Sequence, residues 1–452
     1  MAGRRIAPAV EAAPGIDRWR ERSMSYHFLL DLALILLTTK VFGLVTKRFR
    51  MPQVVGALVA GLVLGPAMLN VLTETEFITQ MAELGVIILM FTAGLETDVR
   101  ELKKTGKASF IIALIGVIVP LLGGFALTYF FNKPTDGTSE TMVMLQNVFV
   151  GVILTATSVS ISVETLKEMG KLNTRAGNAI LGAAVIDDIL GIIALTIITS
   201  LADPTVNIGM VLLKIVAFFV LSIGAGYIFY RLFNKFQARY QKDMRRFVII
   251  AFVFCLILAY CAESLFGVAD ITGAYIAGVL ISNTQRTKYI AARFDTLSYI
   301  LLSPIFFASI GLKVSLPSMT GTIILFAVLL MIVAVLTKVI GCGLGAKLCK
   351  MTNMECLQIG SGMVSRGEVA LIVASKGAAL GLMSDAFFAP VILMVVATTI
   401  AAPILLKLTF RHDGVSPSQL KDESLGQFED YVTRKQEIFD ALDEGRKTPP
   451  EK

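Results

Sequence analysis

Thirteen stretches of this chain, each of 16–28 residues, are almost uninterruptedly apolar: 26–46, 52–70, 77–97, 108–132, 146–168, 174–201, 207–232, 246–265, 269–284, 297–314, 320–346, 356–382 and 385–409. A run of about 20 such residues crosses a hydrocarbon core of about 30 Å as an α-helix, which pairs its own backbone N–H and C=O groups where no water can. The pattern predicts an all-α polytopic membrane protein of about 13 transmembrane helices. Only 17% of the 452 residues are charged, against about 25% in a soluble domain. The net charge of +7 does not point to nucleic acid, because the Lys and Arg residues lie in short loops between apolar runs. There they orient helices, and the partner is the lipid bilayer. Five cysteines (Cys255, Cys261, Cys342, Cys349, Cys356) lie in or beside spans without CxxC spacing and read as free structural thiols.

Alternate loops differ sharply in charge. One set carries Lys47, Arg48 and Arg50, then Arg100, Lys103, Lys104 and Lys107, and continues in this way to Lys347 and Lys350; the opposite set holds only Lys133 and Lys313. The first set is therefore expected on the cytoplasmic side of the cell (inner) membrane, with the C-terminus inside and the N-terminus outside. Residues 1–23 read as a disordered N-terminal extension, 24–410 as the membrane domain, and 411–452 as a short cytoplasmic tail with one amphipathic helix over 428–442. No GxGxxG follows a strand, so no nucleotide-binding regulatory domain is expected.

The sixth span contains AAVIDDILGI, which sets two adjacent carboxylates, Asp187 and Asp188, at the middle of an apolar run. One ionised carboxylate at bilayer depth costs several kcal/mol, and two neighbours cost more unless protons or cations answer them. Residues i and i+1 are about 100° apart around a helix, so the two acids face different surroundings and take different roles.

A repeat runs through the chain at an offset of 217 residues: GALVAG at 56–61 matches GAYIAG at 273–278, and Gly94-Leu95 matches Gly311-Leu312. Seven spans separate the partners, an odd number, so the two halves lie in the membrane with opposite orientation. Inverted-topology repeats are a hallmark of secondary transporters, while generic small-residue packing is the competing explanation. The fifth span carries Thr155, Thr157 and Ser158, with Ser160 and Ser162 after them. The twelfth carries Ser361-Gly362 and Ser365-Arg366-Gly367-Glu368. Polar and glycine clusters at corresponding depths in two halves predict discontinuous helices, whose freed carbonyls and half-helix ends hold a small ion.

Lys338 lies in the eleventh span about nine residues from its cytoplasmic end, and Asp187 lies about thirteen from the corresponding end of the sixth. At about 1.5 Å per residue these depths agree within a turn, close enough for a salt bridge; snorkelling of Lys338 to the inner interface is the alternative.

Together AVIDDILG, TATS at 155–158, Lys338, GMVSRGEVALIVA at 362–374 and the span count resemble the bacterial monovalent cation/proton antiporters of the NapA, GerN and Kef branch, over residues 26–410. The resemblance implies a homodimer with dimerisation spans 1–3 and 8–10, a mobile core of spans 4–6 and 11–13, and two crossed discontinuous helices around Thr155–Ser158 and Ser365–Glu368. It assigns cation and proton binding to Asp188, helped by Thr157 and Ser158, and pairs Asp187 with Lys338; Arg366 and Glu368 are supporting charges. No cofactor and no catalytic residue is implied. The expected reaction is exchange of Na+, or Li+, for H+ in pH homeostasis, electrogenic if Lys338 also releases a proton. Kef-like potassium proteins usually carry Gln-Asp and a large nucleotide-binding domain, which favours sodium here and leaves K+ as the alternative. A gated cation channel and an intramembrane enzyme are the readings from other classes. Flux discriminates the channel, and adjacent acids at mid-span fit neither the separated acids of an intramembrane aspartyl protease nor a DxxxD magnesium-pyrophosphate site.

Overall fold

The computed structural model describes residues 14–49, 51–97, 99–133, 139–202, 207–239, 245–284, 286–314 and 320–411. The expectation for residues 1–23 falls outside them up to residue 13, and the tail helix at 428–442 falls outside entirely; the first helix runs from Pro14. All the described secondary structure is helical: α1 Pro14–Arg48, α2 Gln53–Leu64, α3 Glu76–Glu96, α4 Val99–Phe131, α5 Glu140–Thr155, α6 Val159–Glu168, α7 Arg175–Ala202, α8 Ile208–Arg239, α9 Arg245–Tyr260, α10 Asp270–Ser282, α11 Thr287–Leu297, α12 Ser303–Leu312, α13 Gly321–Leu348, α14 Asn353–Gly362, α15 Gly367–Ala379 and α16 Asp385–Phe410. One π-helical turn (Cys261–Phe266) follows α9, and another (Ser298–Leu302) joins α11 to α12.

Ten helical segments are long and apolar enough to cross a membrane, and three shorter apolar helices (Gln53–Leu64, Asp270–Ser282 and Val369–Ala378) accompany them among the described residues. The second apolar run is shorter as a helix than as a stretch of sequence because Gly65-Pro66 ends it after Leu64. Leu213, Val216, Val220 and Ile223 of α8 are all exposed. In a soluble protein such a face would be a liability; in a bilayer it is the ordinary lipid-facing surface.

The helices pack in two groups. In the first, α2 lies against α1 and α12, and α3 against α10 and α12. In the second, α4 lies against α13, α7 and α5, and α16 against α13, α14 and α15. The groups meet where α6 rests on α2 and α3 and where α16 rests on α2, while α8 packs against both α7 and α10.

The glycines of the 217-residue repeat sit at the tightest contacts of the first group. A Cβ on Gly61 of α2 would lie 2.0 Å from the Ala308 carbonyl oxygen of α12, and one on Gly311 of α12 would lie 2.4 Å from the Leu62 nitrogen of α2. On the other side, Gly94 of α3 and Gly278 of α10 meet in the same manner: a Cβ on Gly94 would be 2.3 Å from the Tyr275 carbonyl, and one on Gly278 would be 2.3 Å from the Phe91 carbonyl. Without a solvent-driven hydrophobic force between helices, such backbone approach is what gives van der Waals cohesion in lipid. Gly278→Ala and Gly311→Ala are each expected to destabilise the protein by about 1–3 kcal/mol or more. Gly106→Ala, whose Cβ meets nothing within 4 Å, is expected to be neutral or stabilising by up to about 1 kcal/mol. Thermal denaturation of the purified protein in detergent checks both.

Candidate functional site

Two helices of the second group are interrupted at mid-length. The first break, Ala156-Thr157-Ser158, separates α5 from α6, and its flanking residues Ala156 and Ser158 have extended ψ values of 138° and 105°. The second, Met363–Arg366, separates α14 from α15. What read in sequence as one twelfth span is therefore two half-helices of 10 and 13 residues. A Gly at 367 suits the second break, because φ there is +53° and a Cβ would lie 2.4 Å from the Ser158 side chain.

The breaks hold each other. The Ser158 N–H donates to the Ser365 carbonyl at 2.8 Å, the Ser162 hydroxyl donates to the Gly362 carbonyl, and the Gly367 N–H reaches Thr399 Oγ1 of α16 at 3.4 Å. Arg366 is wholly buried. Its guanidinium donates to the Ala156 carbonyl inside the first break at 2.8 Å and to the Ala334 carbonyl of α13 at 2.9 Å. Ala334 lies one turn before Lys338, so Arg366 ties both breaks to the helix that carries the lysine. Carbonyls freed by a helix break in lipid need donors, and a guanidinium supplies several in one plane.

Lys338 donates to Asp187 Oδ1 at 2.8 Å, and both side chains are buried, at 0% and 1% exposure. The lysine does not snorkel. Its setting on α13 is cut close by Gly116 of α4, where a Cβ would come within 2.4 Å of Cys342 Sγ and 3.9 Å of Lys338 Nζ. Asp188, next on α7, is partly exposed. Adjacent acids thus have distinct surroundings, one sealed against a fixed cation and the other at a boundary of the packed core.

Of the hydroxyls singled out in sequence, Thr157 Oγ1 is buried without a protein hydrogen-bond partner, as are Ser365 Oγ and Asp187 Oδ2. Ser158 Oγ lies 3.1 Å from Ser160 Oγ. Thr155 turns its hydroxyl back onto the Val152 carbonyl of its own helix at 2.7 Å. Glu368 opens α15, and its side chain lies outside the described residues. Sequence reasoning named Arg366 as a charge without finding its carbonyl partners, placed Ser365 in the second break, and missed Thr399; no residue-level signal marks a backbone carbonyl as an acceptor. Orphaned hydroxyl and carboxylate oxygens beside broken helices form a hard, oxygen-only donor set of the kind that holds a small alkali cation or the proton that replaces it. No cluster of three or more His, Cys, Asp or Glu residues suited to a metal ion occurs among the described residues.

Comparison with known proteins agrees with this chemistry. The family model described as sodium/hydrogen exchanger, transmembrane, matches residues 33–412. The chain is 40% identical over 388 residues to the Na(+)/H(+)-K(+) antiporter GerN of Bacillus cereus, covering 86% of this chain and 97% of the relative. It is 35% identical to a Na(+)/H(+) antiporter of Enterococcus hirae, over 84% of this chain and 97% of the other. Its fold is similar to the sodium proton antiporter MjNhaP1 of Methanocaldococcus jannaschii, with a TM-score of 0.62 and 17% identity, covering 85% of this chain and 96% of that one. This chain belongs to the sodium/hydrogen exchanger family, as a multi-pass membrane antiporter.

Proposed function

We propose that this protein exchanges Na+, or Li+, for H+ across the cell membrane through Asp188, by alternating access of a mobile half made of α4–α7 and α13–α16. The observation that carries the reading is the contrast between two adjacent acids: Asp187 is sealed against Lys338, while Asp188 is partly exposed, on a helix that packs against α5, α6 and α14, the half-helices flanking the two breaks and their unsatisfied oxygens. A cation on Asp188, helped by Thr157, Ser158 and backbone carbonyls, or a proton in its place, reduces the charge that must cross the hydrophobic barrier; the empty ionised site is held back. When Lys338 releases a proton in the same cycle, two protons move per monovalent cation and transport is electrogenic.

The remaining helices α1–α3 and α9–α12 form the static half, which the family resemblance makes the homodimer interface, and α8 links the two. The reciprocal glycine contacts of α2 with α12 and of α3 with α10 support an inverted repeat, and the bonds between the two breaks support crossed discontinuous helices. Thirteen crossings, with the Lys- and Arg-rich loops and the C-terminus in the cytoplasm and the N-terminus outside, follow the positive-inside rule. Potassium is the second reading, favoured by the 40%-identical relative whose name includes both ions.

In acidified proteoliposomes containing an interior pH dye, added sodium is expected to dequench the dye. A response to potassium in the same preparation would move the protein to the second reading. Asp188→Ala is expected to abolish exchange while leaving folded protein; exchange surviving in that variant would remove Asp188 from the site. Lys338→Ala leaves the Asp187 charge buried without its ion-pair partner and is expected to destabilise the protein by about 3–5 kcal/mol, with loss of membrane-potential dependence in whatever exchange remains. Unchanged potential dependence would take Lys338 out of the mechanism.

A further inference from the structure

The α7 helix is sealed on one side of Asp188 and open on the other. Every residue from Ala176 to Ala184 is buried, whereas from Val185 to Leu195 each except Asp187 is partly exposed, and a Cβ on Gly191 would meet nothing within 4 Å. The sealed half ends at Arg175, on the side of the Lys- and Arg-rich loops. There α6 lies across the boundary between the two helix groups.

Two consecutive residues of α6 grip three helices of the opposite group with opposite charges. Lys167 Nζ lies 3.2 Å from Glu96 at the end of α3, forms an ion pair with Asp295 of α11, and reaches Thr92 Oγ1 at 3.4 Å. Glu168 accepts from the Gln53 N–H at 2.8 and 3.0 Å, which places its carboxylate at the electropositive N-terminus of α2. Beside this contact is a cavity of about 610 Å³, walled by Leu36 and Lys40 of α1, Val54 of α2, Glu164 of α6, Tyr299 and Phe307. The static half is held by backbone-to-backbone glycine contacts that cannot open and close at low cost. The ties made by Lys167 and Glu168 are partly exposed side-chain bonds, which water can replace.

We infer that Lys167 and Glu168 form a releasable latch between the two halves, with Lys167 as a positioning residue of exchange. Latched, the site is closed to the Lys- and Arg-rich side; released, α6 has the adjacent cavity to move into, and Asp188 becomes accessible from that side. The inference rests on the alternating-access reading proposed above.

The test uses the full chain in proteoliposomes with one orientation and measures the apparent KM for sodium from each side. Lys167→Gln is expected to raise KM on the Lys- and Arg-poor side and lower it on the Lys- and Arg-rich side, so that the ratio of the two changes by about fivefold, the shift that loss of a partly exposed ion pair gives. Lys167→Arg, which keeps the positive charge shared by Glu96 and Asp295, is expected to keep both values. A general structural defect would lower the maximal rate without moving the two KM values in opposite directions. If Lys167→Gln yields no folded protein, Glu96→Gln together with Asp295→Asn cuts the same contacts from the static half. Values that stay unchanged or move together in the folded variant overturn the latch, while absence of sodium-driven exchange in the unmodified protein overturns the underlying function instead.

Discussion

The ion pair between Lys338 and Asp187 sets the conditions for everything around it. Both groups are out of reach of solvent, where an unpaired charge costs several kcal/mol, so α7 and α13 are obliged to stay in register. That register fixes the position of Asp188, one residue further along α7 and about 100° around it. It also fixes Ala334, one turn before the lysine, as an acceptor for Arg366. The same arginine reaches into the break between α5 and α6. A single guanidinium therefore aligns two interrupted helices with the helix that carries the buried lysine. The site is held by charges and carbonyls in a place where apolar side chains alone would give no direction.

Both helix groups are drawn together by close glycine contacts, and the second adds hydrogen bonds between its broken helices: a Cβ on Gly151 of α5 would lie 2.4 Å from the Leu121 carbonyl of α4, and one on Gly360 of α14 would lie 2.6 Å from the Val339 carbonyl of α13. In the first group, glycines let α2 touch α12 and α3 touch α10 along their backbones. In the second, α4 and α13 lie side by side and the broken helices are tied by hydrogen bonds. Between the groups, α6 and α16 make the contact, with Lys167 and Glu168 of α6 bonded to α2, α3 and α11. Stiffness within each group and side-chain bonding between them is the mechanical division that a moving-half transporter needs.

Much of this was legible in the sequence. Apolar run length declares a membrane helix because the bilayer has a fixed thickness, and Asp187 and Lys338 could be matched by counting residues from the span ends. The glycines at 61, 94, 278 and 311 stood out by spacing alone, and they mark the closest helix contacts. The interruption at residues 156–158 was visible as polar residues at depth. Its counterpart at 363–366 was visible in the same way, from Ser361-Gly362 and Ser365-Arg366-Gly367-Glu368 in the twelfth span. The part played by Lys167 was hidden. Its partners Glu96 and Asp295 lie 71 residues before and 128 residues after it, and loop-charge counting treats it as an orientation signal. Yet Glu164, Lys167 and Glu168 occupy positions i, i+3 and i+4 of one helix face, a cluster of charge that marks the face α6 turns to its partners.

The partners in the central ion pair are 151 residues apart in the chain. A ribosome adding about 5–20 residues per second makes Asp187 roughly 8–30 s before Lys338. Throughout that interval the helix with two adjacent acids must be accommodated without its counter-charge, by protonation, by water, or by the insertion machinery. The fold's central contact is therefore also a late step in its biogenesis, formed only after α13 has been made.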